Sequence, residues 1–217
     1  MLRWLGNALN SSIGRKIVMG LTGLLLVGFL FAHLSGNLKL MPGFGSEEKF
    51  DGYVEFLKSF EGFLLLAELG LVALFVCHIY LALRLTMENV AARKERYVVR
   101  NDRGAKTFGS ASMFATGSLI LLFLIKHMLD FRFNADFHED PSGVVVEMMS
   151  SPLHGGIYIA AALVVAVHLS HGIQSAFQSL GFNHPRWTPL VKCAGLGIAA
   201  LLGLGFAAIP AYFLFLR

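Results

Sequence analysis

Apolar residues in this chain gather into five long runs, at 17–38, 62–83, 107–131, 153–182 and 190–216, and most of the charge falls between or at the edges of them. A hydrocarbon core about 30 Å thick takes about 20 residues of helix to cross, so each run is long enough to span it. Turn signals separate them: Pro42-Gly43 and Gly45 after the first, Ser151-Pro152 before the fourth, and Asn183-His184-Pro185 and Pro189 between the fourth and fifth. The pattern predicts an all-α chain forming one integral membrane bundle of five transmembrane helices over residues 1–217. Pro210 is expected to bend the last helix. Two shorter segments read differently. Met1–Asn10 is mildly amphipathic and suits the membrane surface, and the stretch FDGYVEFLKSF around Phe50–Phe60 suits a helix lying along the opposite surface.

Composition agrees with the pattern. The 217 residues are 55% hydrophobic and only 15% charged, and the spans leave no room for a soluble catalytic domain. The apolar run after the amino-terminal segment is too long for a secretory leader, and no small-residue cleavage site follows it.

The charges that remain set an orientation. With five spans, the amino end and the second and fourth loops share one side. That side collects Arg3, Arg15, Lys16, Arg84, Arg93, Lys94, Arg96, Arg100, Arg103, Lys106, Arg186 and Lys192, 12 cations against 6 on the other. Loops rich in Lys and Arg stay in the cytoplasm, which predicts an inner-membrane protein with a cytoplasmic amino terminus and an external carboxy terminus. Acids lean outward. The net charge of +4 is a topology signal, and nucleic-acid binding is a poor reading of it. The basic run from Arg84 to Lys106 also offers a docking surface for a cytoplasmic partner subunit.

Four spans each carry an imidazole, at His33, His78, His127 and His168, and ionisable groups inside a membrane are costly enough to mark function. His33 lies 17 positions past Lys16 and His127 lies 21 past Lys106, about 25–30 Å from the inner edge at about 1.5 Å per residue. His78 lies only 6 positions before Arg84, about 9 Å from that edge. His168 follows Pro152 by the same 16 positions as His78 follows Gly62. The histidines therefore sort into an outer pair, His33 and His127, and an inner pair, His78 and His168, with levels roughly 15 Å apart.

A lone histidine in a span is often only hydrogen-bonded to a neighbouring helix. Four at two matched depths point instead to two haems, each held by two imidazoles, with both axial positions closed and the iron left to carry electrons only. No C-x-x-C-H is present, so attachment is non-covalent. Cys77 and Cys193 sit in separate spans and read as packing residues. His171 shares a helical face with His168 at i, i+3, so either can be the ligand. The depth match favours His168, leaving His171 to meet a haem propionate. Arg15 and Lys16, at the inner edge of the first span, join the cofactor-binding set.

The segments Phe31-Ala32-His33-Leu34-Ser35-Gly36-Asn37-Leu38, Cys77-His78, Lys126-His127 and His168-Leu169-Ser170-His171-Gly172, at these spacings on five spans, resemble the di-haem cytochrome b anchor of succinate:quinone oxidoreductases. This is the single-polypeptide type that serves succinate dehydrogenases and fumarate reductases. The resemblance covers the whole chain. It implies a five-helix bundle, a flavoprotein subunit and an iron–sulfur subunit on the cytoplasmic face, and electron transfer to or from menaquinone through two haems b. The dicarboxylate chemistry belongs to a partner subunit.

Some menaquinol-oxidising relatives carry a carboxylate two residues before the fourth-span histidine, where this chain has Ala166. Glu68, read as the only carboxylate buried within a span, and Glu55 on the outer surface segment are then the candidates for proton exchange with quinone. A carboxylate in an apolar setting is suited to change protonation near neutral pH. Two other classes compete: a cytochrome b of a hydrogenase or formate dehydrogenase type complex, and a haem-free transporter whose histidines line a cavity.

Overall fold

The structure, a computed structural model, describes residues 10–91 and 108–217. The amphipathic segment before Asn10 and the basic residues Arg93–Lys106 lie outside the described residues. In chain order the elements are α1 (Ser12–Asn37) with a 3-10 turn (Leu38–Leu40), α2 (Glu47–Lys58), α3 (Glu61–Ala91), α4 (Phe108–His127) running on into a π turn (Met128–Arg132), α5 (Ala135–Glu139), α6 (Pro141–Ser150), α7 (Pro152–Ser179) and α8 (Thr188–Phe215). No strand occurs among the described residues. α1, α3, α4, α7 and α8 are long and apolar enough to cross a membrane, the architecture of a multi-pass membrane protein.

Local sequence sets the helix ends. Ser11 Oγ accepts from the Gly14 amide at 3.0 Å and starts α1, replacing one of the four partners that a first turn lacks. Ser46 caps α2 through the Lys49 amide, with Glu47 and Glu48 in the first turn against the positive end of the helix dipole. α7 ends where Gly181 adopts φ +93°. The Phe182 amide then reaches back to Phe177 O and the Gly181 amide to Gln178 O, while the Phe177 and Phe182 rings close over the turn at 5.8 Å. This is a Schellman stop with its hydrophobic contact, for which a residue free to take positive φ is needed.

α7 lies at the centre, packed on α8, α4 and α1, while α3 leans on α1. Small residues permit the closest approach. A Cβ on Gly203 would come within 2.4 Å of Ala166 Cβ, and one on Gly20 within 3.2 Å of the Ala176 carbonyl oxygen. Any larger residue at these two points would force helices apart that lipid gives no hydrophobic reason to rejoin. The core they enclose includes Val27, Leu34, Leu169, Ile173, Ala199, Leu202 and Ile209. By contrast α3 and α4 show Leu65, Leu66, Leu69, Val76, Leu119, Leu122 and Ile125 more than half exposed. Surface this apolar is a liability in water, but lipid is its natural solvent.

Two differences from the sequence reading matter for the site. α3 continues past Arg84 to Ala91, which carries Glu88 to Arg15 at 2.9 Å and ties the start of α1 to the end of α3. The stretch between the third and fourth apolar runs, for which the sequence pattern predicts no helix, is mostly helical: the π turn, α5 and α6 form a cap with α2. Asp51 accepts from both the amide (2.9 Å) and the hydroxyl (2.7 Å) of Ser142, and Lys58 donates to the His138 carbonyl at 2.9 Å. The bundle thus has a near end, marked by Arg15 and Glu88, and a far end closed by this cap.

Candidate functional site: two levels of histidine

The four span histidines are half-buried and lie on α1, α3, α4 and α7. Toward the far end, His33 and His127 meet with ring centroids 5.7 Å apart and planes perpendicular. α1 and α4 share no extensive backbone contact, and these two rings meet across the space between them. Phe29 stacks on His33 at 5.3 Å and Phe206 flanks it at 5.8 Å, while Phe123 and Phe131 enclose His127. Metal–imidazole bonds are about 2.0–2.1 Å long, which sets the centroids of two rings on opposite sides of one ion roughly 6 Å apart. The observed separation is close to that.

Toward the near end stand His78 on α3 and His168 on α7, with His171 one turn further along α7. Each of the inner two imidazoles is held in the same way. His78 Nδ1 is 3.2 Å from Thr22 Oγ1 on α1, and Thr22 Oγ1 donates its own proton to the Met19 carbonyl at 3.1 Å. His168 Nδ1 is 3.0 Å from Thr116 Oγ1 on α4, whose proton goes to the Ser112 or Met113 carbonyl at 2.9 and 3.2 Å. A hydroxyl has one proton to give. With it directed to the helix backbone, the hydroxyl oxygen is set to accept from Nδ1–H of each histidine, the tautomer that carries its lone pair on Nε2. Both threonines are buried.

The glycine after each threonine completes the seat. A Cβ on Gly23 would stand 3.3 Å from His78 Cε1, and one on Gly117 would stand 3.5 Å from His168 Cε1.

His127 shows a third version. Tyr158 Oη, 3.4 Å from His127 Nδ1, donates to Asp130 Oδ2 at 2.7 Å, and Lys126 Nζ meets the same oxygen at 2.6 Å. Asp130 lies in the π turn that follows His127 directly, four residues past Lys126. Such turns recur at functional sites. His33 differs from the other three, with an aromatic enclosure and no side-chain hydrogen bond among the described residues.

The remaining sequence candidates are placed as follows. Glu68 is corrected on two points. Its carboxylate is about one-third exposed and is gripped by Arg132 through Nε and Nη2 at 2.9 and 3.1 Å. Nor is it the only carboxylate within a span, because the extended helices also hold Glu88 and Asp130. Glu55 is exposed on α2, and Lys16 is exposed on α1. His171 is half-buried on α7 and, unlike His168, has no hydroxyl holding it among the described residues. Arg15 has a side chain 15% exposed, an ion pair to Glu88 and a close contact to the Asn10 carbonyl. Its Nε is buried with no partner among the described residues.

The sequence reading missed Thr22, Thr116, Tyr158 and Asp130. A signal for the threonines was present. Met19-x-x-Thr22-Gly23 precedes His33, and Met113-x-x-Thr116-Gly117 precedes His127, each Thr falling 11 positions before its His. Eleven residues are about three helical turns, so α1 and α4 each carry a far-level histidine and a near-level threonine on one face. No protein-family model, curated protein or solved structure matches this chain.

Proposed function

We propose that this chain is the membrane-anchor cytochrome b of a succinate dehydrogenase or fumarate reductase complex. It would relay electrons between an iron–sulfur subunit and menaquinone, with a flavoprotein subunit carrying the dicarboxylate chemistry. The observation that supports this best is the pairing of four histidines from four helices at two levels, three of them held through Nδ1 so that Nε2 is free. The resemblance of the histidine segments to the di-haem anchors points the same way.

The residues fit two haems b. His78 and His168 would hold the near one, and His33 and His127 the far one. When bound, such a group would supply one-electron transfer. The chain's own residues do the rest. The threonine hydroxyls orient the near imidazoles, the phenylalanines keep water from the far ones, and the unpaired Arg15 Nε–H with His171 would meet the carboxylates of the near group. A buried N–H without an acceptor costs about 1–3 kcal/mol, so an anion at Arg15 would remove a penalty that the described residues leave standing.

Lys and Arg gather at the near end as Arg15, Lys16, Arg84, Arg186 and Lys192. This supports placing that end in the cytoplasm, where the iron–sulfur and flavoprotein subunits would dock. Quinone would then be handled at the far end, beside Glu68, Asp130 and Tyr158. The test is a reduced-minus-oxidised visible spectrum of the purified protein with a pyridine haemochrome assay. Two b-type haems per chain are expected; a colourless protein would favour the transporter reading.

A further inference from the structure

We infer that Thr22 and Thr116 are paired positioning residues that fix the ring orientation, the tautomer and the electron-donating strength of His78 and His168. The inference rests on the two-haem reading and goes beyond it, because nothing in a bis-histidine site by itself calls for threonine on the two opposite helices.

Three observations carry it. Each threonine reaches the Nδ1 of a histidine on a different helix, at 3.2 and 3.0 Å, so the contact is tertiary and ties α1 to α3 and α4 to α7. Each hydroxyl also spends its proton on a carbonyl of its own helix, which turns its lone pairs toward the imidazole. And the unit Met-x-x-Thr-Gly occurs twice, at Met19–Gly23 and Met113–Gly117, each time with the glycine under the imidazole Cε1.

A threonine whose only task was to satisfy itself within its helix would need no histidine of another helix within hydrogen-bond reach, and no glycine beside it. The duplication places the two near-level histidines in equivalent seats supplied by the helices that carry the two far-level ones. Each seat needs a buried hydroxyl at one step and an absent side chain at the next.

The consequence is electronic as well as steric. An imidazole that donates its Nδ1–H to an oxygen is a better electron donor through Nε2, as in other metal sites where an outer partner orients the ring. Stronger donation favours the oxidised iron, so loss of the hydroxyl shifts the midpoint potential upward. Valine has threonine's shape without the hydroxyl, and serine has the hydroxyl without the methyl.

The experiment is a redox titration and a low-temperature electron paramagnetic resonance spectrum of membranes or purified complex carrying Thr22→Val, Thr116→Val, or serine at either position. Haem is counted in parallel by pyridine haemochrome. The expected result is a positive shift of the near component alone and an altered low-spin signal in both valine variants, with the far component unmoved and serine close to the parent protein. Loss of the near haem in the valine variants and its retention with serine would support the same assignment.

The inference is overturned if valine leaves two haems with unchanged potentials and signals, which confines the threonines to helix packing. It is overturned also if serine behaves like valine. A parent protein without haem would overturn the two-haem reading itself, and the haem count distinguishes that failure from the others.

Discussion

Tyr158 Oη donates to Asp130 Oδ2 at 2.7 Å and at the same time lies 3.4 Å from His127 Nδ1, so a far-level imidazole is connected to a carboxylate through one phenol. Lys126 shares that carboxylate. The near level has only neutral threonine hydroxyls in the corresponding place. The two levels are therefore supported by different chemistry. A hydrogen bond to a charged acceptor contributes about 1.5–3 kcal/mol, against about 0.5–1.5 kcal/mol for a neutral one.

Tyr158→Phe removes the phenol and leaves Asp130 to Lys126. The far haem component should be retained with its midpoint potential shifted upward and the near component unchanged, as read by redox titration. Asp130→Asn should shift it in the same direction, because the chain then ends on a neutral acceptor. Movement of the near component instead would show that the levels had been assigned in reverse.

Histidine replacements test the pairing. His78→Ala or His168→Ala should remove the near spectral component. His33→Ala or His127→Ala should remove the far one, each leaving about one haem per chain. His171→Ala should leave both. Loss of a haem on His171→Ala, with His168→Ala harmless, would transfer the ligand role along α7.

Glu68 and Arg132 form a two-bond ion pair between α3 and the π turn. Glu68→Gln should lower quinone-linked turnover about tenfold or more while succinate oxidation with an artificial acceptor persists, a group that exchanges protons being worth about 10²–10⁴ in rate. Glu55→Gln, on an exposed carboxylate of α2, should lower it less. Unimpaired quinone-linked turnover in both, with both haems bound, would move quinone toward the near level.

Ala166 faces Gly203, where even a Cβ on the glycine would come within 2.4 Å. Ala166→Glu should therefore cost about 1–3 kcal/mol by overpacking, seen as a lower unfolding temperature in detergent. Ala166→Ser should be nearly neutral. The absence of a carboxylate at this position has a packing reason in this chain: α8 comes too close to admit one.

The sequence alone determined the five long apolar helices, their approximate limits, the surface helix α2 and the sorting of four histidines into two depths. These follow from quantities that are linear along a chain: twenty apolar residues cross a membrane, and 1.5 Å per residue converts position to depth. What the tertiary structure decided is lateral. It placed Thr22 on His78, Thr116 on His168 and Tyr158 between His127 and Asp130, and it paired Glu68 with Arg132 where the sequence reading had a lone buried acid. It also separated His168, seated on a hydroxyl and a glycine, from His171, which a shared helical face could not distinguish. A position along a helix gives depth and facing but not the neighbour it faces. The neighbour depends on which helices pack together, and here small residues such as Gly203 and Gly20 made that choice by admitting one backbone against another.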